Sequence, residues 1–149
     1  THTNSIMSVN DIKAVRDNWA PLHDDLVGLG CNIFKELFRI NDSYTDMFGG
    51  IREAGEITLS NAKLREHAIR VITAFDSFLI ALNDTPVLEG LLLRQGMEHI
   101  PRKVFKQQWT DMKKAMMTVL GNTLGAKFNR AAFESVFNKM IDIFVRGQQ

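Results

Sequence analysis

At 149 residues the chain is one domain's worth, long enough to bury roughly 70% of its unfolded surface around a single core. Its 18 lysines and arginines nearly balance 17 aspartates and glutamates, so it lacks the electrostatic footprint that nucleic acid or an anionic membrane requires. A lone cysteine, Cys31, excludes an internal disulfide and reads as a buried thiol in a reducing, cytoplasmic setting.

The polar stretch 1–8 reads as an N-terminal extension, and no apolar run approaches the ~20 residues of a membrane span. Elsewhere the apolar residues recur at helical spacing, which makes the chain all-α. A first helix opens near Ser8 or Asn10 as a cap and carries Ile12, Val15, Trp19 and Leu22 on one face; Pro21 should kink or end it. A second, from about Asp24 to Ile40, presents Leu26, Gly30, Ile33, Phe34, Leu37 and Phe38. A glycine inside a helix costs about 1 kcal/mol against alanine, so Gly30 points to another backbone at close range. Asn41, Asp42 and Ser43 break the pattern. The stretch 42–60 then reads as a long, functional connection that holds Phe48 before Gly49 and Gly50.

The third helix runs from a Ser60 or Asn61 cap to Leu82 with Leu64, Ala68, Val71, Phe75, Phe78, Leu79 and Leu82 on one side. His67 lies at the edge of that stripe. Thr85 as cap and Pro86 at the first helical position open a shorter helix whose Leu88, Leu91, Leu92 and Gln95 face inward. His99 continues that face in the last turn, because Pro101 pushes the preceding residue out of the helical region. Two long helices follow. One carries Phe105, Trp109, Met112, Met116 and Val119 and ends at Gly121; the other has an Asn129 cap and carries Phe133, Val136, Phe137, Met140 and Phe144. The count is six or seven helices and no sheet.

A histidine is costly to bury, so His67 and His99 on apolar faces of neighbouring helices admit two readings: core residues satisfied by their surroundings, or ligands of a shared partner. No helix carries histidines three or four apart, a cysteine pair or an HExxH motif, so the spacing is wrong for a protein zinc site. An iron held in a flat macrocycle needs one protein ligand and one hydrogen-bonding group opposite, which suits two separate helices. His2 and His23 carry no functional reading.

The residues Ile12 to Val145 resemble the globins, and within them the intracellular haemoglobins of invertebrates such as bivalve molluscs. The resemblance rests on Trp19, on Leu37-Phe38 followed ten residues later by Phe48, and on Lys63-Leu64-Arg65-Glu66-His67-Ala68-Ile69-Arg70-Val71. It ends with His99-Ile100-Pro101-Arg102-Lys103-Val104. It implies a globin fold of six to eight helices packed around haem b (iron protoporphyrin IX), with Gly30 crossing Ala68. His99 would be the proximal iron ligand and His67 the distal group, either donating to the bound gas or serving as a sixth ligand. Phe34, Phe48, His67 and Val71 would form the gas pocket, Arg70 and Arg102 would meet the haem propionates, and Val104 would pack on the haem. The implied function is reversible oxygen binding for transport or storage rather than catalysis. The alternatives are a haem-based nitric-oxide dioxygenase or peroxidase, or a six-coordinate sensor. Implied partners are oxygen, other diatomic gases and other globin chains in a homo- or hetero-oligomer. The sequence departs from many members in lacking a proline near Asp42 and a tryptophan at Phe133.

Overall fold

Ser8, in the computed structural model of the chain, accepts a hydrogen bond from the Asp11 amide and opens α1, Val9–Trp19. The structure describes residues 7–49, 51 and 57–149; most of the N-terminal extension, His2 and Gly50 lie outside the described residues. Pro21 ends α1, and a 3-10 helix, Ala20–Asp25, follows. The second helix, α2, therefore starts later than its periodicity suggests. It covers Leu26–Ile40, where the Asp25 carboxylate supplies the cap by accepting from the Gly28 amide.

The expected long connection begins with structure of its own. Asn41 accepts from the Ser43 amide and caps a 3-10 helix, Asp42–Met47, that leads into Phe48. Asn61 then caps α3, Ala62–Ile80, by accepting from the amides of Lys63 and Leu64. The cap of α4, Thr85–Glu98, is Asp84 rather than the expected Thr85. Asp84 has the non-helical backbone a cap requires and accepts from Val87, which leaves Thr85 and Pro86 inside the first turn. In α5, Lys106–Leu124, Gly121 is interior rather than terminal; the stop is Gly125, whose φ of 59° only glycine adopts without strain. Phe105, expected on the inner face of α5, is its N-cap and is exposed. Asn129 caps α6, Arg130–Gly147. Six α-helices and no strand form among the described residues, and no helix among them is long and apolar enough to cross a membrane.

Three glycine contacts set how the layers meet. A Cβ on Gly30 would lie 3.1 Å from both the Cβ and the carbonyl oxygen of Ala68, so α2 crosses α3 at these two small residues. On the other side α4 lies on α6 through Gly96 against the Phe144 backbone and Gly147 against the Leu93 backbone. Trp19 packs edge-on to Phe75 at 5.1 Å and donates its indole N–H to Asp76 at 2.7 Å, which also meets His23. Arg16 donates to the carbonyls of Leu79 and Ile80 and to Asn83, closing the C-terminus of α3. Phe34, Leu64, Leu88, Leu92, Leu120 and Phe133 fill the core, and Cys31 is buried beside them.

Candidate functional site

Pro101 stops α4, and His99 is left as its C-cap with its amide bonded back to Gln95 and Gly96. The ring is fixed in the same way. Nδ1 lies 2.7 Å from the Gln95 carbonyl, an oxygen that can only accept, so Nδ1 carries the proton and Nε2 keeps its lone pair. Burial holds the His99 pKa below the usual imidazole value; the bond to Gln95 opposes that shift and the charge of Arg102 adds to it. A neutral imidazole is the form that binds a metal. Its ring meets Trp109 edge-on at 4.9 Å, and Trp109 stacks on Phe144 at 4.3 Å.

His67 stands on α3, half-buried, with its ring 4.8 Å from that of Phe48. Phe48 in turn packs on Phe34 at 5.2 Å and on Phe38 at 5.7 Å. Burial again lowers the imidazole pKa, followed by the nearby charge of Arg70, with Glu66 opposing. The Arg102 guanidinium depresses both imidazoles, which puts one cation within electrostatic reach of two histidines on different helices. Phe34, Phe48 and His67 are thus in contact. Val71 is half-buried one turn after His67. Arg70 is exposed and pairs with Glu66 at 2.7 Å, while Arg102 has no carboxylate partner among the described residues. Val104 is half-buried, and its amide reaches back to the His99 carbonyl at 3.2 Å.

Three supporting residues escaped the sequence reading. Gln148 donates to the carbonyls of Gly96 at 3.0 Å and Val104 at 2.6 Å, tying the end of α6 to the turn that carries His99. Tyr44 donates to the buried carboxylate of Asp111 at 2.5 Å. The one available signal was Asp111 itself, a charge set among the apolar residues of α5.

Among the described residues no three histidine, cysteine or acidic side chains gather as a site for a bare metal ion. What the site offers is two imidazoles of lowered pKa on separate helices, the Phe48 ring against His67, and half-buried Val71 and Val104 one turn or less from the two histidine-bearing turns. That donor set fits a flat, apolar-faced group held by one ligand and faced by one hydrogen-bond donor.

A family model described as Globin matches residues 31–144. The chain is 29% identical over 136 residues to a protein named Globin from Aequiyoldia eightsii, covering 89% of this chain and 92% of that one. It is 26% identical over 131 residues to a protein named as an anaerobic nitrite reductase from Brassica napus, covering 86% and 81%. The crystal structure of a hexacoordinated heme protein from an anhydrobiotic tardigrade superposes with a TM-score of 0.83 at 17% identity, covering 99% of this chain and 98% of that one. This likeness is one of fold.

Proposed function

Because the chain belongs to the globin family, we propose that it binds haem b through His99 and takes up oxygen, or another diatomic gas, reversibly beside His67. In this reading it is a single-domain carrier inside the cell, not an enzyme. The observation that carries it is the His99 ring: its Nδ1 proton is committed to the Gln95 carbonyl at 2.7 Å, which leaves Nε2 as the one free donor to a metal. When bound, haem supplies an iron centre with a position for a diatomic gas.

The chain's own residues supply the rest. The Gln95 bond fixes the tautomer and orientation of His99 and raises the basicity of Nε2. His67, whose pKa burial lowers, would donate its ring N–H in a charge-assisted bond to a gas held there. Such a charge-assisted bond is worth about 1.5–3 kcal/mol, or about ten- to a hundredfold in affinity. Phe34, Phe48 and Val71 would keep water from the pocket, Val104 would pack on the group, and Arg70 and Arg102 would be the cations for its propionates. The test is His67→Leu, which should speed oxygen dissociation about tenfold or more; an unchanged off-rate removes the role of His67.

A second reading is reductive chemistry at the same pocket, supported by relatives named anaerobic nitrite reductase. The rate at which the ferrous protein reduces nitrite, measured beside an oxygen-carrying globin, separates the two: a carrier is no faster than that reference. Direct ligation by His67 is separated by the ferrous, gas-free absorption spectrum, which would then be low-spin. Pairing with a second globin chain is part of the first reading and is checked by sedimentation across a range of protein concentrations.

A further inference from the structure

Phe48 follows a short segment that Asn41 caps. The 3-10 helix Asp42–Met47 before it has six residues, too few to persist on its own hydrogen bonds. Yet the Phe48 ring is placed against Phe34, Phe38 and His67. Two side chains from other elements bracket the segment. Downstream, Asn61 at the start of α3 donates its amide to the Ile51 carbonyl at 3.0 Å in a buried bond. Upstream, Tyr44, 7% exposed, donates to Oδ2 of Asp111, 6% exposed, in α5. Oδ1 of the same carboxylate accepts from Gln107 at 3.1 Å.

A buried carboxylate has to be matched by donors, and an apolar residue would serve the packing of α5 at least as well. What Asp111 adds is therefore the bond it makes. That bond reaches across from α5 to the short helix, four residues before Phe48. A bond to a charged acceptor is among the stronger ones a protein makes.

We infer that Asp111 and Tyr44 are positioning residues for the candidate haem pocket: the carboxylate clamps the Asp42–Met47 helix to α5 and so holds the Phe48 ring against His67. The link to haem rests on the function proposed above; the clamp does not.

Hydrogen exchange of the haem-loaded protein, read over 42–49 and over 132–144, tests the clamp, and the rate of haemin loss tests its link to the site. Tyr44→Phe keeps the ring and removes the hydroxyl that donates to Asp111. Exchange over 42–49 should quicken about tenfold or more while α6 is unchanged, and haemin loss should quicken with it. Asp111→Asn keeps an acceptor oxygen for Tyr44 and should retain part of the protection that Asp111→Ala loses. Unchanged exchange over 42–49 in Tyr44→Phe overturns the clamp, as does an equal loss in α6 or equal losses in the two Asp111 variants. Faster exchange without faster haemin loss overturns the link to the pocket. A wild-type chain that takes up no haemin refutes the haem reading instead, and exchange over 42–49 in that haem-free chain still decides the clamp.

Discussion

Gly96 and Phe144 meet backbone to backbone: a methyl group on Gly96 would lie 2.1 Å from the Phe144 carbonyl oxygen. The contact brings α4 down on α6 three residues before His99, and the Phe144 ring stacks on the Trp109 that meets the His99 ring. The close approach of two helices thus helps to set where the candidate ligand stands.

Gly96→Ala should accordingly destabilise the protein by about 1–3 kcal/mol, the usual penalty for forcing extra volume into a packed contact. Gly90 lies in the same helix with nothing within 4 Å of its would-be Cβ, so Gly90→Ala should stabilise by about 0.5–1 kcal/mol. Urea unfolding of the two variants beside the wild type gives both values. Shifts of the same sign would contradict the close approach.

Tyr44 is the only tyrosine, so its ionisation can be followed directly by tyrosinate absorbance. Burial first, and then the bond to Asp111 and that carboxylate's charge, push its pKa up to about 12 from 10.0. A raised pKa means that the folded state holds its proton longer than the unfolded one. Its contribution to stability is complete below pH 10 and is lost as pH rises through about 12. Native protein should titrate near the upper value and denatured protein near the lower; coincident titrations would contradict the buried pair.

His67 and His99 shift the other way, both below the ordinary 6.5. As pH falls through that value the unfolded chain takes up protons first, so the stability these two groups contribute is present above 6.5 and fades below it. Denaturant midpoints of the haem-free protein measured at descending pH should fall in the wild type and fall less when both histidines are replaced by glutamine.

Gln148→Ala removes the donor that joins the Gly96 and Val104 carbonyls. Local opening around 99–104 should quicken about tenfold, the equivalent of roughly 1–1.5 kcal/mol for lost neutral hydrogen bonds. Hydrogen exchange over that turn reads it, with α2 as the internal reference.

The parts of this arrangement that are legible in the sequence carry their signals locally. His99 sits before a proline that must end its helix, His67 lies beside an apolar stripe, and Gly30 stands where helix propensity alone disfavours it. Other features depend on partners distant along the chain. Gly96 looks like any helical glycine until Phe144 is placed against it, and Tyr44 finds Asp111 across a separation of 67 residues. The cap of α4 is a choice between two capping types side by side, settled by the backbone of Asp84. The end of α5 is a choice between two glycines, and Gly125 takes the left-handed turn. The short helix Asp42–Met47 reads as loop in the sequence because its stability comes from Asn41 and Asp111 rather than from its own periodicity.

Whether His99 holds a haem facing His67 is read by an absorbance titration of the purified protein with haemin, wild type beside His99→Gly. The expected result is one haem per chain in the wild type, with a ferrous spectrum that His99→Gly loses and added imidazole restores. A wild-type chain that leaves the haemin spectrum unchanged, or a His99→Gly spectrum identical to the wild type, would contradict it.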